Sequence, residues 1–462
     1  MDLQNKNAIF NIAGPIILNG ISFFTIPLFT RLLGPEQYGM VSVYQTWVGI
    51  FAIIMGLQVQ GSIGTAMARL ESGRIKEYIS SILILGLIFS ALFSTIALIY
   101  RDHISQYLML NVNEFIIMII HAIASFVVAF GGIAFVFLKQ ANHNFFVNII
   151  LSLSTVLCSL GFILGVYPEN LSYLGRIYGM AVPNILCGVG IAFYFIRYGH
   201  FRFDFSFVKF CIPICLPLIF HGLSHVVLAQ SDRVMLQQMI GNEVTGIYSF
   251  MMVFSSILVA IWGALNNTWV PFYYDDLRMG DLDKIRKKSQ NYIFIYTIIL
   301  IVFLMWAPEV IKILAPPTFW AGIELLPAFA LGNYFIFLYG FPVNFQFFHK
   351  TTYTIAVGTV AAAIFNVGFN FYMIPVLGAL GAVIATLFSH ILLFLFHEFI
   401  SERILPYSYH YNFRFFLPGL LVVILSLVVF YILRDIAIGR WLIGASLVVV
   451  FCRDIYIRKT IF

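Results

Sequence analysis

Two stretches of the chain, GPEQYGMVS at residues 34–42 and GNEVTGIYS at residues 241–249, decide how the protein is organised. Four of their nine residues are identical at a constant spacing of 207 (241 − 34, 243 − 36, 246 − 39 and 249 − 42). Each stretch separates two long apolar runs, so each is expected to form a tight external turn in which glycine adopts left-handed backbone angles. The glutamate then lies early in the following helix, near the positive end of its dipole. The two stretches predict an internal repeat.

The sequence around the repeat is apolar. Of 462 residues, 61% are hydrophobic and 10% are charged, whereas about 25% of residues are charged in a soluble globular protein. This balance excludes an ordinary cytosolic enzyme, a secreted disulfide scaffold and a disordered chain. The apolar runs are continuous rather than alternating, which favours membrane-spanning helices over an outer-membrane barrel.

Fourteen apolar runs are long enough to cross a bilayer, for which a helix needs about 20 residues. They lie near residues 8–30, 40–64, 79–100, 114–138, 144–166, 176–197, 208–231, 244–271, 291–308, 323–347, 353–374, 378–399, 412–433 and 438–457. The first run is too long for the apolar core of a cleavable signal and is expected to be a span. The predicted fold class is therefore an all-α membrane protein with about 14 transmembrane helices.

The basic residues predict the orientation of these helices. With both termini in the cytoplasm, 19 of the 26 Lys and Arg residues lie on the inner side and 7 on the outer side, as the positive-inside rule requires. The net charge of +6 is therefore attributed to topology, and no nucleic-acid partner is expected. The five cysteines lie in or beside apolar runs without His or Cys partners at zinc spacing, so neither a metal, a cofactor nor a disulfide framework is predicted.

The repeat predicts a domain organisation. Six helices separate its two copies, and because that number is even both copies have the same orientation in the membrane. Parallel halves of this kind are a known transporter plan. We expect an N-terminal six-helix lobe at residues 1–200, a C-terminal six-helix lobe at 201–405 and two additional transmembrane helices at 406–462.

The repeat region also resembles a known family. The stretch IPLFTRLLGPEQYG at residues 26–39 resembles the first-helix signature of bacterial polysaccharide repeat-unit flippases of the Wzx type. The segment DRVMLQQMIGNEVTGIYS at residues 232–249 is similar to the seventh-helix signature of the same group. That group belongs to the multidrug/oligosaccharidyl-lipid/polysaccharide (MOP) exporter superfamily, so the resemblance implies MATE-like lobes.

The resemblance implies a function as well. Members move an oligosaccharide linked to undecaprenyl diphosphate across the bacterial inner membrane by alternating access, without covalent chemistry. The expected partners are this lipid-linked oligosaccharide, membrane lipids and other membrane proteins of polysaccharide assembly. The resemblance leaves the polymer open, whether O-antigen of lipopolysaccharide, capsule, exopolysaccharide or a teichoic-type polymer.

Cationic side chains at the ends of the spans are candidates for binding the diphosphate. Arg31, Arg176 and Arg233 end or begin spans on the outer side, and Lys139 lies near the inner end of the fourth helix. The planar fork of arginine suits a phosphate oxyanion. The alternative is that these long side chains reach out to the lipid headgroups.

Ionisable groups inside the seventh helix are candidates for proton coupling. His221, His225 and Asp232 fall on one helical face, and a stripe of this composition can relay protons. The alternative is a structural polar face with Asp232 paired at the membrane surface. The His-x-x-x-His spacing lacks the glutamate of a metal motif, so no metal site is predicted.

Neutral polar residues inside the spans are candidates for contacts with sugar hydroxyls in the cavity. The candidates are Asn19, His121, Asn344 and Asn366. The same groups equally serve as hydrogen bonds between helices, which is the favoured interpretation. The glycine pairs at 161 and 165 and at 175 and 179 predict close contacts between helices.

Three other functions stay open. A drug or cation antiporter of the same superfamily is expected to bury carboxylates within its lobes, yet Asp232 is the only acid that the sequence places near membrane depth. A peptidoglycan-precursor flippase fits the two signatures less well. A polysaccharide-polymerising membrane enzyme needs a sizeable external loop, and the external segments are short.

Overall fold

The computed structural model describes residues 3–404 and 411–458, and every regular element in these two stretches is helical. The first element, Leu3–Gly56, consists of two helices joined at Gly34, named here α1 (3–33) and α2 (35–56). The other long helices are α3 Ile75–Ile99, α4 Val112–Phe137, α5 Ala141–Gly165, α6 Ser172–Tyr198, α7 Phe205–Met239, α8 Asn242–Met279, α9 Leu282–Leu314, α10 Leu326–Phe348, α11 Thr352–Leu377, α12 Ala379–Ile404, α13 Phe413–Ile432 and α14 Ala437–Arg458. Short helical segments lie at Val59–Ser62, Ile63–Arg69, Ser72–Arg74, Arg101–Tyr107, Glu169–Leu171 and Pro317–Leu325.

The two repeated turns depend on glycine. Gly34 has φ 64° and ψ 176°, and Gly241 has φ 130° and ψ 174°. Both angles lie in a region that side chains make costly and that glycine occupies freely. Each glycine therefore separates two helices with almost no loop between them, as the repeat predicts.

The number of long helices matches the number of apolar runs. Within the described residues, 12 helical segments are long and apolar enough to span a membrane. The difference from fourteen has two sources. The 34-residue segment Phe23–Gly56 joins the end of α1 to α2, and α14 is not among the 12 because three or more charged residues fall in its apolar stretch. The chain is a multi-pass, all-α membrane protein, as predicted.

The chain divides into two compact units, Met1–Val234 and Met235–Phe462. The division falls inside α7, whose residues 205–234 pack with the first unit. Phe207, Cys211 and Cys215 of α7 belong to an apolar core that also contains Tyr78 and Phe130. The lobe boundaries expected near residues 200 and 405 stay predictions.

The segment that leads into α7 is held to the first unit. Arg74 pairs with Asp204 at 2.7 Å, and Arg202 pairs with Glu77 at 2.5 Å. Hydrogen bonds from the Ser206 hydroxyl and amide, with the Arg74 guanidinium, lower the pKa of the exposed Asp204 carboxyl. These contacts fix where α7 begins against α3.

One predicted pair of glycines makes a close helix contact, and the other does not. A Cβ at position 179 would lie 2.3 Å from the Cα of Ser159, and one at 175 would lie 2.9 Å from Ile163. The α5 and α6 backbones therefore approach closely at this point. At positions 161 and 165 a Cβ would meet no described atom within 4 Å, so the prediction was wrong for this pair.

In the second unit, helices extend beyond the apolar runs. The polar stretch between the eighth and ninth runs is helical except at a turn around Gly280. Across this turn the buried Asp276 carboxylate lies 2.8 Å from Lys284 and 2.6 Å from Lys288. On α14, the buried Arg440 pairs with Glu309 of α9.

Candidate functional site

Two of the predicted cationic residues converge in the first unit. Tyr38 lies in the first turns of α2, directly after the Gly34 turn, and its phenol interacts electrostatically with both Arg233 and Arg176. Arg233 comes from the end of α7, and Arg176 from the start of α6. Two half-buried guanidinium groups from two other helices thus lie within electrostatic range of one phenol, and the sequence separation of the arginines gave no sign of this.

The Arg176 side chain is held in place before any ligand arrives. Its guanidinium carbon lies 3.7 Å from the centre of the Phe29 ring, and Nη1 donates to Ser159 Oγ at 2.8 Å. The close contact of α5 with Gly179 brings Ser159 within reach. A stacked and hydrogen-bonded guanidinium loses little further freedom when it binds an anion.

The other two predicted cations lie elsewhere. Arg31 is exposed near the end of α1, and its Nη1 donates to the Pro27 carbonyl of its own helix at 3.1 Å. Lys139 is exposed in the turn after α4. The neighbouring Gln140 accepts a hydrogen bond from Tyr194, which lies far along α6 from Arg176. The structure therefore does not bring Lys139 together with the two converging arginines.

The repeated turn is tied to a neighbouring loop. Gln37 Nε2 donates to the Glu169 carbonyl at 2.7 Å, and its Oε1 accepts from the Tyr173 amide at 2.7 Å. The Tyr173 hydroxyl in turn donates to Glu114 at 2.8 Å. These bonds fix the start of α2 against the start of α6, and thereby position Tyr38 next to Arg176.

The predicted proton-coupling residues are described only in part. Asp232 is buried, with 1% of its surface exposed, next to Arg233. The side chains of His221 and His225 lie outside the described residues, as does that of Asn19. Their proposed roles in coupling and in sugar contact stay predictions.

The described neutral candidates form hydrogen bonds between helices. His121 of α4 contacts the Tyr44 hydroxyl of α2 at 3.2 Å. In the second unit, Asn344 of α10 donates to Asn266 of α8 at 2.9 Å. These pairings agree with the structural interpretation and leave the interior of each unit polar at defined points.

Asn366 of α11 takes part in a similar bridge in the second unit. Its Nδ2 donates to Thr386 of α12 at 3.3 Å, and its Oδ1 accepts from Asn370 at 3.1 Å. Both asparagines are fully buried. The bridge connects two adjacent helices through side chains that carry no charge.

Buried acids are more numerous than the sequence indicated. Besides Asp232, the structure buries Glu114, Asp276 and Glu398. Glu114 caps α4 with Asn111 and accepts the Tyr173 hydroxyl. The expectation that Asp232 is the only acid at depth was wrong: Glu114 and Glu398 lie at the ends of predicted apolar runs, and Asp276 lies in the polar stretch after the eighth run. The sequence did not reveal which polar groups accommodate these acids, because partners such as Tyr173 for Glu114 lie far away in the sequence.

The fold and the site define a multi-pass, all-α membrane protein with a duplicated glycine turn and two half-buried arginines in its first unit. A model of the family described as polysaccharide biosynthesis protein matches residues 5–273, more than half of the chain. A protein of the Lsg locus of Haemophilus influenzae is 22% identical over 289 residues, 60% of this chain and 67% of the relative. The chain belongs to the polysaccharide biosynthesis protein family.

Solved structures share the fold. The inward closed conformation of the lipid II flippase MurJ has a TM-score of 0.72 at 15% identity, over 98% of this chain and 99% of that chain. The inward-facing conformation of a multidrug resistance MATE family transporter of the MOP superfamily has a TM-score of 0.63 at 17% identity, over 87% of this chain and 100% of that chain. The predicted MATE-like fold is confirmed.

Proposed function

We propose that the protein is a flippase that moves an undecaprenyl-diphosphate-linked oligosaccharide repeat unit across the bacterial inner membrane for surface polysaccharide synthesis. It works by alternating access, with both termini in the cytoplasm. The observation that carries this proposal is the convergence of Arg176 and Arg233 on Tyr38. Membership of a polysaccharide biosynthesis family supports the choice of a glycan cargo.

The chemistry of the arginines suits a diphosphate. The lipid-linked sugar carries its charge as a diphosphate anion, and each guanidinium presents paired donors to phosphate oxygens. Such hydrogen bonds strengthen where water is scarce. Because Phe29 and Ser159 already hold Arg176, binding of the diphosphate loses little free energy to ordering of this side chain.

The remaining predicted residues receive supporting roles in this proposal. Arg31, exposed at the end of α1, attracts the headgroup before the diphosphate reaches Arg176 and Arg233. Lys139, in the turn after the C-terminal end of α4, attracts the headgroup at the opposite membrane surface. Asp232, with His221 and His225 on the same helix, couples transport to proton movement.

The antiporter alternative is less well supported by the buried charges. A cation cargo needs carboxylates that are available to it. Glu309 is paired with the buried Arg440, and Asp276 lies against two lysines. Both of these carboxylates already have a cationic partner.

The proposal is tested by deleting the gene in its host and analysing the lipid fraction by mass spectrometry. We expect a complete oligosaccharide on undecaprenyl diphosphate to accumulate, together with loss of the surface polymer. Accumulation of a peptidoglycan precursor would move the cargo to that class. Unchanged lipid-linked sugars with new sensitivity to cationic dyes would favour the antiporter.

The matched control is complementation of that deletion. The wild-type gene restores the polymer, and the double variant Arg176→Ala with Arg233→Ala does not, although its protein reaches the membrane in equal amount. Restoration by the double variant would remove the arginines from the mechanism while leaving the flippase function itself intact.

A further inference from the structure

The second unit contains a buried polar cluster that the anion site does not use. It joins three helices through Gln346 of α10, Thr354 of α11, and His397 and Ser401 of α12. Gln346, His397 and Ser401 are fully buried. The cluster lies within a few turns of the short α10–α11 connection, where Lys350 is exposed.

The hydrogen bonds of this cluster determine where the protons lie. Gln346 Nε2 is 3.1 Å from the backbone carbonyl of His397 and 2.9 Å from Ser401 Oγ. Because a carbonyl oxygen only accepts, the first contact fixes the orientation of the amide. Gln346 Oε1 therefore faces both Thr354 Oγ1 and His397 Nδ1, each at 2.9 Å. An amide oxygen cannot donate, so Nδ1 of His397 carries the proton and Nε2 holds a lone pair.

That lone pair is buried and unused. Nε2 of His397 has no hydrogen-bond partner among the described residues. It lies against Gly358 of α11 so closely that a Cβ there would be 2.5 Å from the nitrogen. A buried polar atom without a hydrogen bond destabilises the folded state. An asparagine would make the same bond to Gln346 without that atom, so the second imidazole nitrogen has no structural purpose here.

We infer that Nε2 of His397 is a proton-binding site of the second unit. In the packing described, Nε2 lies against Gly358 of α11 and has no hydrogen-bond partner among the described residues, so an added N–H would be unsatisfied there. The proton therefore binds in an arrangement in which α11 has moved away from α12 and the imidazolium meets water. Binding then shifts the population toward that arrangement. Its use in transport rests on the proposed function, whereas the titration itself does not.

The groups around His397 leave it as the basic group of the cluster. From α10, the Tyr339 ring lies edge-on with its centre 5.2 Å from the imidazole, and its hydroxyl is engaged with Thr359. The titratable residues of α11, Tyr353 and Tyr372, are exposed. The titratable groups that α10 and α11 contribute in the described residues are therefore phenols and not charged side chains.

The acidic neighbour on the same helix faces a different set of groups. Glu398 follows His397 in α12, and its carboxylate interacts electrostatically with Tyr273 of α8 and with Tyr411. Glu402 and Arg403, one turn further along α12, are exposed. The described charged residues of α12 therefore interact with groups other than His397. The imidazole itself is the group that takes up the proton.

The direct test is nitrogen NMR of the full chain, labelled with ¹⁵N-histidine and reconstituted in lipid nanodiscs, from about pH 8.5 to about pH 4.5. The signal of His397 is identified by its loss in His397→Asn. We expect an Nδ1–H tautomer at high pH that converts to imidazolium on acidification. A signal that stays neutral to about pH 4.5, or an Nε2–H tautomer at high pH, overturns the inference.

Transport provides the second readout. His397→Asn keeps a donor toward Gln346 but cannot titrate. A single proton linkage changes an equilibrium by up to about tenfold per pH unit, so we expect the pH dependence of transport to be shallower in this variant than in the wild type by up to that amount. His390→Asn is the matched control, because His390 lies two turns earlier on α12 and its Nδ1 bonds the Gly332 carbonyl at 3.2 Å.

The outcomes separate the two proposals. A profile of His397→Asn that overlays the wild type, or an equal loss in His390→Asn, overturns the coupling role. Titration of His397 in a protein that does not move lipid-linked sugars would leave the proton site in place and contradict the proposed function instead.

Discussion

The two units share a turn but differ in what surrounds it. Gly34 and Gly241 both combine a positive φ with an extended ψ, a conformation that favours glycine. Four residues later the first unit has Tyr38, which faces two arginines. The second has Thr245, whose hydroxyl donates to the carbonyl of Gly241 in its own helix at 2.7 Å. The repeated glycines therefore determine the backbone conformation of the turn. The side chain four residues later determines which polar groups the start of the following helix interacts with.

The two units also differ in how their buried charged side chains are arranged. In the second unit the described buried charges are largely matched, as in the pair of Arg440 with Glu309. Its other polar contacts are neutral, as in the pair of Asn344 with Asn266. In the first unit two guanidinium groups gather instead of being dispersed. We therefore expect the first unit to suit an anionic ligand, whereas the second unit combines matched ion pairs with neutral hydrogen bonds.

The largest expected effect comes from removing the gathered charge. Each charge-assisted contact contributes about 2 kcal/mol, so Arg176→Ala with Arg233→Ala should slow flipping in proteoliposomes by about 10³-fold. The matched double variant in the second unit, Asn266→Ala with Asn344→Ala, removes a neutral pair and should leave the rate within about tenfold. Equal losses from both would erase the distinction between the units.

Breaking the buried ion pair should affect stability and not transport. Glu309→Gln leaves Arg440 buried without its counter-charge, which costs about 3 kcal/mol. We expect a lower melting temperature in detergent and an unchanged rate per folded molecule. A specific loss of flipping at full stability would show that charge in the second unit also takes part in transport.

The shared turn should be equally sensitive in both units. Gly34→Ala and Gly241→Ala each force a side chain into a region that costs about 1–3 kcal/mol, although space is available at both positions. Since the sites belong to different units, the losses measured by thermal unfolding should add. If only one substitution is costly, the turns do not play equivalent roles.

The smallest effect tests the position at which the repeats diverge. Tyr38→Phe removes one hydroxyl beside two arginines and should reduce flipping about fivefold, as expected for about 1 kcal/mol. Thr245→Val removes the equivalent hydroxyl, which bonds only its own helix in the described contact, and should leave the rate unchanged. The opposite order of effects would assign substrate recognition to the second unit.

The helices could largely be predicted from the sequence because apolar length and bilayer thickness determine them. The turn glycines could also be placed, since left-handed angles leave few alternatives. The boundaries were less accurate. Residues 35–39 belong to α2 although they read as a loop, because Gln37 bonds the Glu169 carbonyl and so holds the first turn of that helix.

The sites depended on contacts that no sequence pattern contains. Arg176 was a candidate by its charge, but its hydrogen bond to Ser159 depends on the α5–α6 approach at Gly179. His397 has no neighbouring motif, and its tautomer follows only from the amide of Gln346 in another helix. Charge and hydropathy therefore identify candidates, whereas long-range hydrogen bonds decide their roles.

Diphosphate recognition by the first unit is tested most directly by native mass spectrometry of the full chain. An undecaprenyl-diphosphate oligosaccharide is compared with undecaprenyl monophosphate, for the wild type and for Arg176→Ala with Arg233→Ala. We expect the wild type to prefer the diphosphate by at least about tenfold, one charged contact or more, and the double variant to lose this preference. Equal binding of both lipids by the wild type, or an unchanged preference in the variant, would contradict recognition by these arginines.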